Sequence, residues 1–409
     1  MIRKATTDSS RVSLGKKLLF WLVILAIPIV ALEFGVRTYF AFQLGSSMLF
    51  YGTRLNREKG GDAHSGDMHI LDGYFKYHPH EERFTRDKES GRLIRASINS
   101  SGFRGPDFTQ QKDPNVTRVI TLGASSTFGF SDRDDETYPY YLERLLNREA
   151  PRGHRFEVIN FGIPHLKSEQ ILALFKTEGL ALHPDVVTFY EGVNDTWRSR
   201  VLFKKTSRGP GTVRTTLRRS YLLHRSFTWL RDHFITIVIA DGFLKRRKGA
   251  KFNAADVEVH MRGKSEEFVK NVSAIYDVCK RNDITFIVGG QQAKSLTLDM
   301  KHMKGVTYEE EVDIVRRMLA EKGYINADQL NFLTHAALMH DLREWIDANN
   351  VPYADVIAAM DQRRDCLVSW VHLNAEGNLI VAGTFARAIL RDVGSKSAAR
   401  VDTGSRLTH

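Results

Sequence analysis

Apolar residues along the chain fall into two kinds of run. The first kind is short and recurs five times. Arg118–Gly123 (RVITLG), Phe156–Phe161 (FEVINF), Asp185–Tyr190 (DVVTFY), Ile284–Val288 and Pro352–Val356 are mostly apolar and bounded by polar or glycine-bearing stretches. Runs of that length suit strands buried on both faces. Between them the apolar positions recur at helical spacing, which predicts helices over Tyr138–Leu146, Ser168–Leu180, Glu266–Arg281, 308–322, 327–348 and Ala375–Leu390. Strands alternating with helices predict an α/β protein: a roughly five-stranded parallel sheet covered on both faces, a three-layer sandwich of the flavodoxin-like kind. In such sheets the site lies beyond the C-terminal ends of the strands.

The second kind of run occurs once. Leu18–Leu32 holds fifteen residues without a charge, and with Glu33 as its single charge the stretch stays apolar through Val36. A helix of that length covers about 28 Å, close to the hydrocarbon thickness of a bilayer. Arg3, Lys4, Arg11, Lys16 and Lys17 precede it against Asp8, and after Arg37 no charge appears until Arg54. This asymmetry predicts a cytoplasmic tail over 1–17, a single transmembrane helix over 18–37 in the inner (cytoplasmic) membrane, and a body outside the cytoplasm. A cleaved signal peptide is the rival reading, but the run is long for one and no small-x-small site follows it. Glu33 is expected to pair with Arg37 one turn later.

Composition narrows the class. In 409 residues, 42% hydrophobic and 26% charged is ordinary for a globular protein and excludes a disordered or collagen-like chain. Cys279 and Cys366 cannot build a four-thiolate metal site, and the sequence leaves a disulfide between them open. The charge is uneven. Residues 197–251 carry 15 Lys and Arg against 2 Asp, a net of +13, which leaves the rest of the chain at −2 of the total +11. One local basic surface argues against a nucleic-acid partner. The stretch 197–262 is therefore an insert in a domain over 115–392, preceded by an aromatic-rich lead-in over 38–114 and followed by a polar, flexible tail over 393–409. Within the insert, basic residues mix with Tyr, Trp, Phe and Leu. A membrane-surface segment over 197–251, a solvated insertion and a grip on an anionic glycan all stay open.

Four short blocks follow the predicted strands or precede the last helix. They are Gly123-Ala-Ser-Ser-Thr, Gly162-Ile-Pro, Gly192-Val-Asn194-Asp and His372-Leu-Asn-Ala-Glu-Gly. Together they bring a hydroxyl, an imidazole, a carboxamide and glycine N–H groups to one sheet edge, the set that acyl transfer needs. In this order the blocks resemble those of the SGNH (GDSL-like) hydrolases of the membrane-anchored bacterial type. Asn99-Ser-Ser-Gly-Phe-Arg-Gly-Pro106 resembles a lead-in found in the membrane-anchored members. The resemblance implies the SGNH hydrolase fold, with Ser125 as nucleophile, His372 as base, and Gly162 and Asn194 as oxyanion donors, acting without cofactor or metal. It further implies a serine esterase with an ester-bearing small molecule, lipid or acylated glycan as substrate. An O-acyltransferase or deacetylase on a cell-envelope polysaccharide, and an idle binding protein of the same fold, are the alternatives.

Two positions depart from that pattern. Ala124 stands where the first block carries Asp. Ser369 stands three residues before the histidine, where the family has its acid, and Asp365 is the nearest carboxylate in sequence. The imidazole is thus expected to be oriented by Ser369, by a carbonyl, or by Asp365 through a shifted loop. Asp195 is expected to serve structure. His165, His183, His335 and His340 lack metal-ligand spacing and read as surface or packing residues. Gln291 and Gln292, after the fourth strand, either line the pocket or form a polar loop.

Overall fold

The computed structural model describes residues 14–44, 69–71, 73–80, 82–86, 93–130, 132–197, 251–298, 303 and 305–405. The chain divides into two compact units, residues 1–58 with 207–248, and residues 59–206 with 249–409. The described element of the first unit is a helix, Leu14–Leu44, whose segment Gly15–Thr38 is long and apolar enough to cross a membrane. The apolar side chains from Leu18 to Leu32 are exposed, and Arg37 Nε lies 2.8 Å from Glu33 Oε1 within the helix. Residues 198–250, which hold most of the basic insert, lie outside the described residues, as do residues 1–13.

The second unit carries the sheet. Two antiparallel ribbons come first: β1 (His69–Ile70) with β2 (Phe75–Lys76), and β3 (Glu82–Arg86) with β4 (Leu93–Ser97). Then come β5 (Val116–Gly123), β6 (Arg155–Gly162), β7 (Val186–Tyr190), β8 (Thr285–Gly289) and β9 (Tyr353–Ala354). These five pair in the order β6-β5-β7-β8-β9, all parallel. The direction of strand addition reverses at β5, so the crevice beyond β5 and β7 is the switch point of a doubly wound sheet.

Alternation along each strand sends side chains to two separate cores. Ile120, Leu122, Val187 and Phe189 join Phe268, Val272, Ile275, Leu338 and Leu342 on one face. Val119, Val186 and Tyr190 join Tyr138, Leu142, Leu146, Val381 and Phe385 on the other. Helices Ala254–Arg281 and Ala327–Asn349 thus cover one face, and Tyr138–Glu149 with the closing helix covers the second. The lead-in supplies Tyr74, Phe75, Tyr77, Ile98 and Phe103 to the first core, so it is part of the domain's packing. Cys279 and Cys366 sit in different cores and both are free thiols.

Three boundaries differ from expectation. The helix expected from Glu266 begins at Ala254, inside the stretch assigned to the insert, because Asn253 Oδ1 accepts from the Asp256 N–H and caps it there. The helix from Ser168 stays α-helical only to Leu174, then continues as a π turn over Phe175–Gly179 and a 3₁₀ turn over Leu180–Leu182. Gly179 permits that widening, since a Cβ there would lie 2.6 Å from the Phe175 ring. The closing helix runs Ala375–Ser405, into the segment expected to be a flexible tail. No proline interrupts it, and Ala398-Ala399-Arg400 are strong helix formers.

Candidate active site

β5 ends at Gly123, and a one-turn helix, Ser125–Phe128, starts two residues later. As its first residue, Ser125 has no carbonyl one turn back to receive its N–H within the helix. Two glycines let this turn sit where it does. A Cβ at Gly123 would meet Thr127 Oγ1 at 2.0 Å and the Tyr190 carbonyl oxygen at 2.6 Å. One at Gly162 would meet the Phe128 nitrogen at 2.2 Å, which is backbone and cannot swing aside. From below, the buried Arg104 guanidinium donates to the Phe128, Gly129 and Asp132 carbonyls and pairs with Asp134 at 2.8 Å. Arg104 belongs to the Asn99–Pro106 block. Asn99 folds that block by accepting from the Ser101 and Phe103 N–H groups and donating to the Pro106 carbonyl.

His372 comes to the same place from far along the chain. Its Nε2 lies 2.8 Å from Ser125 Oγ, and its Nδ1 lies 2.7 Å from Ser369 Oγ. The loop holds itself: the Val368 N–H donates to the His372 carbonyl, the Asn374 N–H to the Cys366 carbonyl, and Leu367 bridges to Leu373. Ser369 Oγ also accepts from the His372 backbone N–H at 3.2 Å. Asp365 instead faces Arg363, whose Nε lies 3.3 Å from its carboxylate, so of the groups expected beside Nδ1 the hydroxyl of Ser369 is the one found there. Phe130 packs on the imidazole with ring centroids 5.1 Å apart.

The Asn194 carboxamide donates one N–H to the Leu166 carbonyl at 3.0 Å, which fixes its plane. The Gly162 N–H, expected to face an oxyanion, donates to Asn160 Oδ1 at 2.9 Å. Gln291 is fully buried and ties three loops together. Its Oε1 accepts from the Val193 N–H, its Nε2 donates to Ser126 Oγ, and Ser126 Oγ donates to the Val371 carbonyl. Gln292 bonds to Ile357, Asp361 and Arg364 and serves structure.

Sequence reasoning gave little weight to Glu191, the residue just after β7. Its Oε1 accepts from the Asn194 N–H at 2.9 Å, while its Oε2 is buried without a partner. Burial pushes its pKa from the ordinary 4.5 up to about 8. Asp195 is pushed up to about 6 by burial, against the opposing hydrogen bonds from the Ser168 N–H and hydroxyl. Asp195 thus bonds a residue 27 positions away. Arg104 was visible only as a letter in a motif. Its role as a clamp depends on three carbonyls that no local pattern encodes.

Of the scattered histidines, His165 and His183 take positive φ in turns, and His340 pairs with Glu344 along an exposed helix face. His335 is buried, with Nδ1 2.7 Å from the Tyr308 hydroxyl.

The five-stranded doubly wound parallel sheet with helices on both faces is the α/β architecture of the SGNH hydrolases, and a serine and a histidine meet beyond its strand ends. Residues 121–380 match the family of GDSL-like lipases and acylhydrolases, and the chain belongs to that family of ester-bond hydrolases. Solved structures similar to it include the acetyl xylan esterase AlAXEase, at 17% identity over 66% of this chain and 99% of that one, TM-score 0.39. A catalytic mutant of the acetylxylan esterase Axe2 from Geobacillus stearothermophilus aligns at 15% identity over 69% and 96%, TM-score 0.37. A GDSL-like lipase from Bacteroides thetaiotaomicron aligns at 13% identity over 70% and 93%, TM-score 0.37. No curated protein is similar to the chain.

Proposed function

We propose that the protein is a serine esterase held by its N-terminal helix in the cytoplasmic membrane, with its catalytic domain outside the cytoplasm. The observation that carries the catalytic part is the 2.8 Å contact between His372 Nε2 and Ser125 Oγ. His372 takes the Ser125 proton as the oxygen attacks the ester carbonyl, then returns it to the departing alkoxide. Water attacks the acyl-enzyme by the same route in reverse. The Ser125 N–H and the second N–H of the Asn194 carboxamide hold the oxyanion. The Gly162 N–H joins them by sharing its hydrogen between Asn160 Oδ1 and the oxyanion. A neutral hydroxyl at Nδ1 stabilises the imidazolium less than a carboxylate does. It also accepts either tautomer, so Ser369 makes this a working but slow arrangement.

The anchoring part is supported by the apolar helix and the positive charge before it. A transferase that hands the acyl group to a hydroxyl instead of water uses the same residues.

The test is turnover of p-nitrophenyl acetate. Ser125→Ala and His372→Ala should each abolish it, and the double variant should be hardly worse, because the two act as one unit. Wild-type turnover in Ser125→Ala would remove the nucleophile.

A further inference from the structure

Strands β5 and β7 end in register, with Gly123 opposite Tyr190, so the turn that carries Ser125 and the turn that carries Asn194 leave the sheet side by side. Glu191 is the first residue beyond β7, and its fully buried carboxyl touches both turns. Its Oε1 accepts from the Asn194 N–H at 2.9 Å. The Gly192 and Ala124 N–H groups act on the same carboxyl more weakly. Ala124 brings no carboxyl of its own, so Glu191 supplies one to the nucleophile turn from the neighbouring strand.

Those contacts lie within one residue of two groups that receive the oxyanion. The Ser125 N–H follows that of Ala124 along the chain. Asn194 is gripped twice, at its main chain by Glu191 and at its carboxamide by the Leu166 carbonyl. A group that spaces two oxyanion donors governs the rate, because such donors must be in place before charge develops. The surroundings also choose the form of the carboxyl. Oε2 is buried without a hydrogen-bond partner, and charge on such an oxygen is costly. Asp195, on the turn after β7, opposes a second negative charge beside it. Tyr190 is held neutral by burial. Against Gly192 pack Gln291, which is uncharged, and His335, whose pKa burial pushes down to about 3. In the neutral form Oε2 carries the proton and Oε1 still accepts from Asn194.

We propose that Glu191 is a positioning residue for the oxyanion site, neutral while the protein works, and that loss of its proton switches the reaction off. The inference rests on Ser125 and His372 being the reacting pair. As Ser125 Oγ bonds to the ester carbon, the carbonyl electron pair moves onto oxygen, and negative charge collects at the Ser125 N–H and the Asn194 carboxamide. A carboxylate within one residue of both donors, in a buried setting, repels that charge. Burial places the ionisation of Glu191 at about 8, and there the proton passes to water or a buffer base. The fall in rate therefore comes on the alkaline side, away from the acidic limb that belongs to His372.

The experiment uses the full chain in detergent and measures kcat and KM for p-nitrophenyl acetate at pH 7 and pH 9, corrected for spontaneous hydrolysis. The readout is the ratio of kcat at the two pH values within each protein. Wild type should lose about tenfold, because one pH unit above its midpoint a group keeps about a tenth of its protons. The rate should return when the protein is brought back to pH 7, which separates ionisation from denaturation. Glu191→Gln has no proton to lose, so its kcat should hold level from pH 7 to pH 9. Glu191→Leu removes the acceptor and should lower kcat about tenfold or more at pH 7 with KM little changed, and Gln at 191 should recover most of that loss. A level kcat in wild type overturns the proposal, and that result needs no variant to fold. The same tenfold fall in Glu191→Gln overturns it too. With Ser125→Ala inactive, either result leaves the reacting pair standing. Full turnover by Ser125→Ala overturns the reacting pair and the role of Glu191 with it.

Discussion

The loop that carries His372 bonds largely to itself, and the loop that carries Ser125 does not. Ser125 is placed by distant parts of the chain. Gly162 on β6 allows the backbone to approach, the Tyr190 carbonyl on β7 receives the Thr127 hydroxyl, and Arg104 from the lead-in clamps three carbonyls below the turn. His372 is placed by a tight loop from Cys366 to Asn374 that bonds to itself, with Ser369 inside it, and that Ser126 and Lys294 tie to the rest of the fold at the Val371, Trp370 and Leu367 carbonyls. A tertiary framework tolerates little change, because every wall belongs to another element. A self-bonded loop can exchange one short polar side chain for another without moving anything else. One departure, at position 369, falls in the self-bonded loop; the other, Ala124, falls in the nucleophile turn itself, which keeps its glycines.

That contrast can be broken at several points. The largest effect is expected at Asn194, whose carboxamide is fixed by the Leu166 carbonyl. Asn194→Ala should lower kcat by about 10²–10³ with KM little changed, if the amide acts on the oxyanion. Next comes the framework. Gly162→Ala places a Cβ 2.2 Å from the Phe128 nitrogen, so the nucleophile turn must move. We expect a loss of about 1–3 kcal/mol in denaturant unfolding, together with a fall in kcat. A variant as stable and active as wild type would show that the close approach is not needed.

The local loop should respond in the opposite direction. Ser369→Asp puts a carboxylate at Nδ1 in place of a hydroxyl, which stabilises the imidazolium that forms as Ser125 attacks. The variant should gain about tenfold in kcat near neutral pH, with the acidic limb of its pH profile shifted upward. A loss of activity would mean that the loop cannot hold an acid and that the difference from the family is more than one side chain.

The smallest effect concerns Glu191, between the two loops. Its folded pKa of about 8 lies above the ordinary 4.5. The folded protein therefore holds a proton that the unfolded chain has released, and the stability present below about pH 4 is lost as pH rises through about 8. Asp195, held near 6, acts with the same sign. Glu191→Gln keeps an uncharged group in place, so its Tm should fall less than that of wild type between pH 5 and pH 9, by a few degrees. Parallel Tm curves would contradict a protonated Glu191.

The same contrast explains what the sequence made legible. The five strands are short apolar runs, and runs of that kind mark buried parallel strands whatever the tertiary detail. Helix starts such as Thr307 and Asn326 carry their own capping residues, so helices 308–322 and 327–348 could be placed closely. The four blocks were legible because each sits at a strand end or a helix start. What holds them together was not. Arg104 and Gln291 act through carbonyl, N–H and hydroxyl groups of other loops, and nothing local records that; Glu191 accepts from the Asn194 N–H three residues on, and it is its burial that no local pattern shows. Position 369 marks the limit from the other side: the residue that orients the imidazole was named among three options, and only the 2.7 Å contact separates it from Asp365.

Everything proposed for the site depends on Ser125 being the nucleophile made reactive by His372. The most direct measurement is covalent labelling with a fluorophosphonate, followed by mass analysis of the peptide that bears the adduct. One adduct per chain is expected on the peptide containing Ser125, absent in Ser125→Ala and strongly slowed in His372→Ala. An adduct on another serine, or labelling of Ser125→Ala at the wild-type rate, would contradict it.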